Sequence, residues 1–130
     1  MLGYAHHISI TCGNINNTKA LYHLLGFSEI KHYRDDDCMI LHLADRTGFI
    51  IELFCFTKNH DDKRKNAFSI ETKGITHFAI TVCNIHEALM LLKNKGIQCG
   101  EITTARIDSY RYFFTYDPEG NAVEIIEEIE

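Results

Sequence analysis

Positions 7–27, HISITCGNINNTKALYHLLGF, and positions 77–97, HFAITVCNIHEALMLLKNKGI, are two copies of one pattern. At an offset of 70 they share His7 with His77, Ile10 with Ile80, Thr11 with Thr81, Asn14 with Asn84, Ile15 with Ile85, Leu21 with Leu91 and Gly26 with Gly96, seven identities in 21 positions. Other pairs exchange one apolar residue for another, such as Ile8 for Phe78 and Phe27 for Ile97. Further along the offset becomes 72, and Gly48-Phe-Ile-Ile-Glu52 meets Gly120-Asn-Ala-Val-Glu124. A repeat of this kind decides the architecture before any single element does. Two copies are too few for a solenoid. They predict one domain, 1–130, built of two equal modules, 1–56 and 75–130, joined by the polar stretch 57–74. The charges of Asn59-His-Asp-Asp-Lys-Arg-Lys-Asn66 suit a solvated linker.

Both modules read alike. A strand rich in β-branched residues comes first, 5–12 in one copy and 75–83 in the other. A helix follows. In the first copy Asn16 or Asn17 can cap it, Ala20, Leu21, Leu24 and Leu25 face inward, and Gly26 ends it. In the second, Asn84 with Glu87 three residues later resembles a capping box, Ala88, Leu89, Leu91 and Leu92 make the apolar face, and Gly96 ends the helix. Three strands then complete each module, about 28–34, 38–43 and 49–56, then about 98–103, 110–116 and 122–128. Asp117-Pro-Glu-Gly120 is a turn before the last of them. The predicted fold class is α+β, with the order β-α-β-β-β used twice.

Side chains alternate across a strand. His6, Ile8 and Ile10 therefore share one face, suited to packing on the helix, and His7, Ser9 and Thr11 share the other. The second copy agrees, with Phe78, Ile80 and Val82 against His77, Ala79 and Thr81. On the last strands Glu52 alternates with Ile50, Phe54 and Phe56, and Glu124 stands among Ala122, Val123, Ile125 and Ile126. A lone carboxylate in such company is costly to bury unless paired or bound to a cation. Each module thus offers one histidine on its first strand and one glutamate on its last. His7, Glu52, His77 and Glu124 make a donor set fit for a first-row divalent metal.

Composition narrows the remaining classes. The chain has 130 residues, 45% of them hydrophobic, a single proline and a net charge of −5. That is an ordinary globular composition, with no strongly basic face for nucleic acid. The apolar runs fall far short of a membrane span, and MLGYAHHISI does not read as a signal peptide. Five cysteines without a C-x-x-C spacing read as reduced, buried thiols of a cytoplasmic protein.

Four segments, His6-His-Ile-Ser-Ile10, Ile51-Glu-Leu-Phe54, Gly74-Ile-Thr-His-Phe-Ala-Ile80 and Asp117-Pro-Glu-Gly-Asn-Ala-Val-Glu124, carry a family likeness, the last being the most specific. Through them nearly the whole chain resembles the vicinal oxygen chelate superfamily. That superfamily includes glyoxalase I, methylmalonyl-CoA epimerase, fosfomycin-resistance proteins, extradiol dioxygenases and bleomycin-binding proteins. The resemblance implies tandem βαβββ modules forming curled mixed sheets around a metal cup, with His7, Glu52, His77 and Glu124 as metal ligands. It implies one divalent ion per site (nickel, cobalt, zinc or manganese), a small-molecule substrate and a homodimer. The quartet looks like glyoxalase I, whereas the epimerase pattern has glutamine at the place of Glu52. Fosfomycin-resistance proteins and extradiol dioxygenases use three ligands, matching His7, His77 and Glu124.

The chemistry implied is that of a lyase or isomerase: proton abstraction next to a carbonyl, with the cation stabilising the enediolate. Glu52 or Glu124 would be the base, with Glu124 favoured by analogy. Glyoxalase I enzymes that use glutathione commonly carry an arginine and an asparagine where this chain has Thr11 and Phe56, so the groups that would hold the peptide's carboxylates and amide are missing. Phe54, Phe56, Tyr112, Phe114 and Tyr116 suit an apolar pocket or the core, and Arg111 suits the surface or a substrate carboxylate. The alternatives are a thiol transferase or hydrolase of the fosfomycin type, and a metal-free module that binds a drug or metabolite.

Overall fold

The computed structural model describes residues 2–58, 69–107 and 109–129. The charged run read as a linker, 59–66, lies outside the described residues. The chain divides into two compact units, Met1–Lys63 and Arg64–Glu130.

The first unit consists of β1 (His7–Thr11), α1 (Ile15–Leu24), β2 (Ser28–Arg34), β3 (Cys38–Ala44) and β4 (Ile50–Phe56). Its four-stranded sheet has the order β1-β4-β3-β2, with β1 parallel to β4 and the other neighbours antiparallel. The helix between β1 and β2 lets the chain cross over, so the first strand can lie parallel beside the last. The second unit repeats the plan with β5 (Phe78–Thr81), α2 (Ile85–Asn94), β6 (Thr103–Thr104), β7 (Tyr110–Tyr116) and β8 (Ala122–Glu128). Its order is β5-β8-β7-β6, again with the first strand parallel to the last. Both sheets are mixed and open, and the predicted β-α-β-β-β order holds in each.

Helix caps are made the same way twice. Asn14, in extended conformation, accepts a hydrogen bond from the Asn17 N–H at 3.1 Å, and Asn84 accepts one from the Glu87 N–H at 3.1 Å. The cap of α1 is therefore Asn14 and not Asn16 or Asn17. At the other ends Gly26 and Gly96 take positive φ, 100° and 76°. The following Phe27 and Ile97 donate to the carbonyls of Tyr22 and Leu92, both at 3.0 Å, closing a Schellman motif in each helix.

One face of each sheet carries the core of its unit. Leu41, Leu43, Ile51 and Leu53 are buried with Ile15, Leu21 and Tyr22 of α1 in the first, and Phe113, Val123 and Ile125 with Ile85 and Leu92 of α2 in the second. The inward set of α1 differs from the expected one: Tyr22 and Thr18 are fully buried, Ala20 is exposed, and Leu24 and Leu25 are half-buried. Starting the helix at Ile15 puts positions 15, 18, 21 and 22 on one side. In α2, Leu91 is exposed while Ile85 and Leu92 are fully buried.

The strand expected over 98–103 is reduced to Thr103–Thr104 and a single bridge between Cys99 and Thr115. The last strands are entered by matching turns. Asp45 Oδ1 accepts from the N–H groups of Thr47 and Phe49, and Asp117 Oδ1 from those of Glu119 and Asn121. Gly48 and Gly120 close these turns at φ 90° and 82°.

All five cysteines are free, but only Cys12 is buried; Cys83 is exposed and the other three are half-buried. Among the described residues no helix is long and apolar enough to cross a membrane.

Candidate metal centre

In the first unit β1 and β4 run side by side, and β3 flanks β4 on its other edge. Ser9 and His42 are both register partners of Glu52, one from each side. Strand alternation puts His7, Ser9, His42 and Glu52 on the face away from α1. His7 Nε2 lies 3.4 Å from Glu52 Oε1, and His42 Nε2 lies 2.6 Å from Glu52 Oε2. The His7 and His42 rings are 5.8 Å apart between centroids. His6 is exposed and its Nδ1 sits 2.7 Å from Nδ1 of His7, so His7 and not His6 faces the carboxylate. Burial pushes the Glu52 carboxyl up, but the hydrogen bonds from His42 and Ser9 and the charge interactions with His7 and His42 outweigh it. The group is held below the ordinary glutamate value and stays ionised.

In the second unit His77 stands just before β5, and Glu124 lies at the middle of β8 with Ala79 and Phe114 as register partners. His77 Nε2 is 3.1 Å from Glu124 Oε2, and Glu124 is buried. Thr76 Oγ1 holds His77 Nδ1 at 2.7 Å, which leaves Nε2 for the carboxylate. The His77 and Phe114 rings meet edge to face at 5.0 Å, and Phe114 continues into Tyr112 at 5.7 Å. The carboxylate of Glu124 raises the Tyr110 hydroxyl above its ordinary value, aided by burial and by Tyr112.

The structure therefore joins His7 to Glu52 and His77 to Glu124, each pair within its own unit. Among the described residues no group of three or more His, Cys, Asp or Glu side chains is arranged to hold a metal ion. The pairs fit a metal by their donor chemistry and spacing. Two ligand atoms bound to one ion at ~2.1 Å stand roughly 3.0–3.4 Å apart in tetrahedral or octahedral geometry. The two observed separations, 3.4 and 3.1 Å, lie in that interval.

Sequence reasoning missed three residues: Ser9 as a partner of Glu52, Tyr110 beside Glu124, and above all His42. The 72-residue offset that pairs Glu52 with Glu124 pairs His42 with Phe114. Phe54 and Phe56 stack at 5.7 Å on the same face of the first sheet as Glu52. Thr11 is exposed at the end of β1, opposite Phe54. Arg111 alternates with the buried Phe113 and Thr115, belongs to the face away from Glu124, and pairs with Glu127.

A family model described as the Glyoxalase/Bleomycin resistance protein/Dioxygenase superfamily matches residues 4–125. The chain is 33% identical over 131 residues to the uncharacterized protein YwkD of Bacillus subtilis, with 98% of this chain and 99% of the other covered. It is 32% identical over 136 residues to the uncharacterized protein YaeR of Escherichia coli, covering 98% and 100%. Among solved structures it is similar to a glyoxalase family protein from Bacillus cereus, with a TM-score of 0.85, 20% identity, and 100% and 97% of the chains covered. It is also similar to a mutant of the fosfomycin resistance protein FosX from Listeria monocytogenes, complexed with Mn(II) and 1S,2S-dihydroxypropylphosphonic acid. There the TM-score is 0.74, the identity 17%, and the coverage 96% and 92%. With the family model spanning both copies of the repeat, this chain belongs to the Glyoxalase/Bleomycin resistance protein/Dioxygenase superfamily.

Proposed function

We propose that this chain is a divalent-metal-dependent lyase or isomerase of the glyoxalase I type, acting on a small molecule. Its ligands are His7, Glu52, His77 and Glu124, and its reaction is proton abstraction next to a carbonyl. The observation that carries the reading is the duplicated pair: in each unit a histidine at the start of the first strand and a glutamate of the last strand meet at ligand spacing. One such pair would be a plain ion pair. Two, in matching places of a repeated frame, favour ligands over ion pairs.

When bound, the ion supplies Lewis-acid stabilisation of negative charge on substrate oxygens, worth several kcal/mol. Nickel, cobalt, zinc and manganese all accept two imidazoles and two carboxylates. Glu124 takes the substrate proton and returns it, as a carboxylate near the reacting carbon can. The aromatic side chains Phe54, Phe56, Tyr112 and Phe114 lie on the same sheet faces as the two pairs and favour a substrate with an apolar part. Thr11 and Phe56 offer no charged or amide group, which favours a hemithioacetal or hydroxy-carbonyl compound smaller than a glutathione adduct.

The test is parallel turnover of methylglyoxal hemithioacetals of several low-molecular-weight thiols and of fosfomycin with water or thiol. Each is run with the metal removed and with each metal restored. The reading expects metal-dependent isomerisation of a hemithioacetal. Turnover of fosfomycin alone would replace it with transferase or hydrolase chemistry. Tight ligand binding unchanged by a chelator would make the protein a binding module.

A further inference from the structure

We propose that His42 is a positioning residue for Glu52: its ring N–H fixes the carboxylate in the orientation in which the other oxygen meets a metal ion beside His7. This rests on the metal reading above and names a residue that the repeated quartet does not contain. As a metal ligand Glu52 would be a carboxylate, which only accepts, so in the 2.6 Å contact the proposal assigns the hydrogen to His42 Nε2. The bond occupies Oε2 and turns Oε1 toward His7, 3.4 Å away. It is short, as bonds to a charged acceptor are, and both side chains are largely shielded from water, at 21% and 17% exposure. The register fixes it as well, because His42 on β3 lies directly opposite Glu52 on β4.

The repeat supplies an internal comparison. The residue opposite Glu124 is Phe114, whose ring has no donor. The two carboxylates are therefore held differently, Glu52 by the ring of the residue directly opposite it and Glu124 by the Tyr110 hydroxyl from further along β7. Outer partners of this kind hold a ligand in its binding orientation, and losing one typically costs about 10–100-fold in metal affinity.

The experiment is titration of the metal-stripped full chain with Zn²⁺, against a competing chelator, for wild type, His42→Phe and His42→Gln. Phenylalanine is the residue that the second copy carries at this place, and glutamine keeps an N–H donor. The expected result is a loss of about 10–100-fold in affinity for His42→Phe, with most of it recovered in His42→Gln, at unchanged melting temperature of the metal-free proteins. Wild-type affinity in His42→Phe overturns the inference. So does a glutamine variant as weak as the phenylalanine one, which would make the ring a direct ligand. Absence of zinc binding by the wild type sinks the metal reading itself, a result distinct from the other two. Should His42→Phe fail to fold, ¹⁵N-histidine spectra of the zinc-loaded wild type decide. A His42 Nε2 that keeps its hydrogen supports positioning, and a coordinated Nε2 overturns it.

Discussion

His77 Nε2 lies 3.1 Å from Glu124 Oε2, and the same contact recurs 70 residues earlier for the histidine and 72 earlier for the glutamate, between His7 and Glu52. In each sheet the parallel pairing of first and last strands creates it. The crossover through the helix brings a residue from the start of the module beside one from its end.

Removing either carboxylate is expected to act on metal and on turnover in different proportions. Glu52→Gln removes a charged ligand and should release the ion, measured as metal content after gel filtration. Glu124→Gln should lower kcat about 10²–10⁴-fold even where metal is forced in by excess, because the base is gone. Equal turnover of Glu124→Gln and wild type at saturating metal would remove Glu124 from the base role.

Metal should stabilise the folded chain. An ion that binds only the folded state adds about 2.7 kcal/mol at 100 times its dissociation constant. Thermal melts of stripped protein with added nickel, cobalt, zinc or manganese should therefore rise with concentration. The rise should vanish in His77→Ala. A His77→Ala chain that gains as much would place the ion elsewhere.

The β-α-β-β-β order and both helices were legible because the repeat shows them twice, and the Asp117–Gly120 turn from its own residues; the matching Asp45–Gly48 turn was not read. What was missed fell where the copies differ or where one copy was read in isolation. The asparagine cap is an example. Asn84 caps the second helix as expected, and its partner at the 70-residue offset, Asn14, caps the first in place of Asn16 or Asn17. The inward face expected from the apolar residues Ala20, Leu24 and Leu25 gives way to Thr18 and Tyr22, which are fully buried. His42 escaped because it has no identical partner: Phe114 occupies its place, and only cross-strand register brings it to Glu52. The short β6 was not readable either. Gly100 sits against the Phe114 backbone, and the ladder leaves only the Cys99 bridge before resuming at Thr103.

Core packing gives an independent check on the second unit. Phe113 is fully buried on the helix side of β7. Phe113→Ala should cost about 3–5 kcal/mol in denaturant unfolding. A cost below about 1 kcal/mol would show that β7 does not bury this face.

Acid should unfold the chain partly through Asp45. Burial raises its carboxyl, but the Thr47 hydroxyl and the N–H groups of Thr47, Phe49 and Gly48 outweigh it and hold the group below its ordinary value of 3.8. With the folded value below the unfolded one, its stabilisation is complete above the unfolded value and is lost as pH falls toward the folded one. Asp45→Ala should therefore lower the melting temperature at pH 7, and the gap to wild type should shrink near pH 3. A gap that widened on acidification would reverse the assignment.

The most direct measurement is the metal content of the purified full chain, by elemental analysis and by equilibrium dialysis against nickel, cobalt, zinc and manganese. The account predicts one tightly held divalent ion for each set of His7, Glu52, His77 and Glu124, lost in Glu52→Gln and in His77→Ala. An intact chain that takes up none of these metals, or variants that hold them as firmly as wild type, would contradict it.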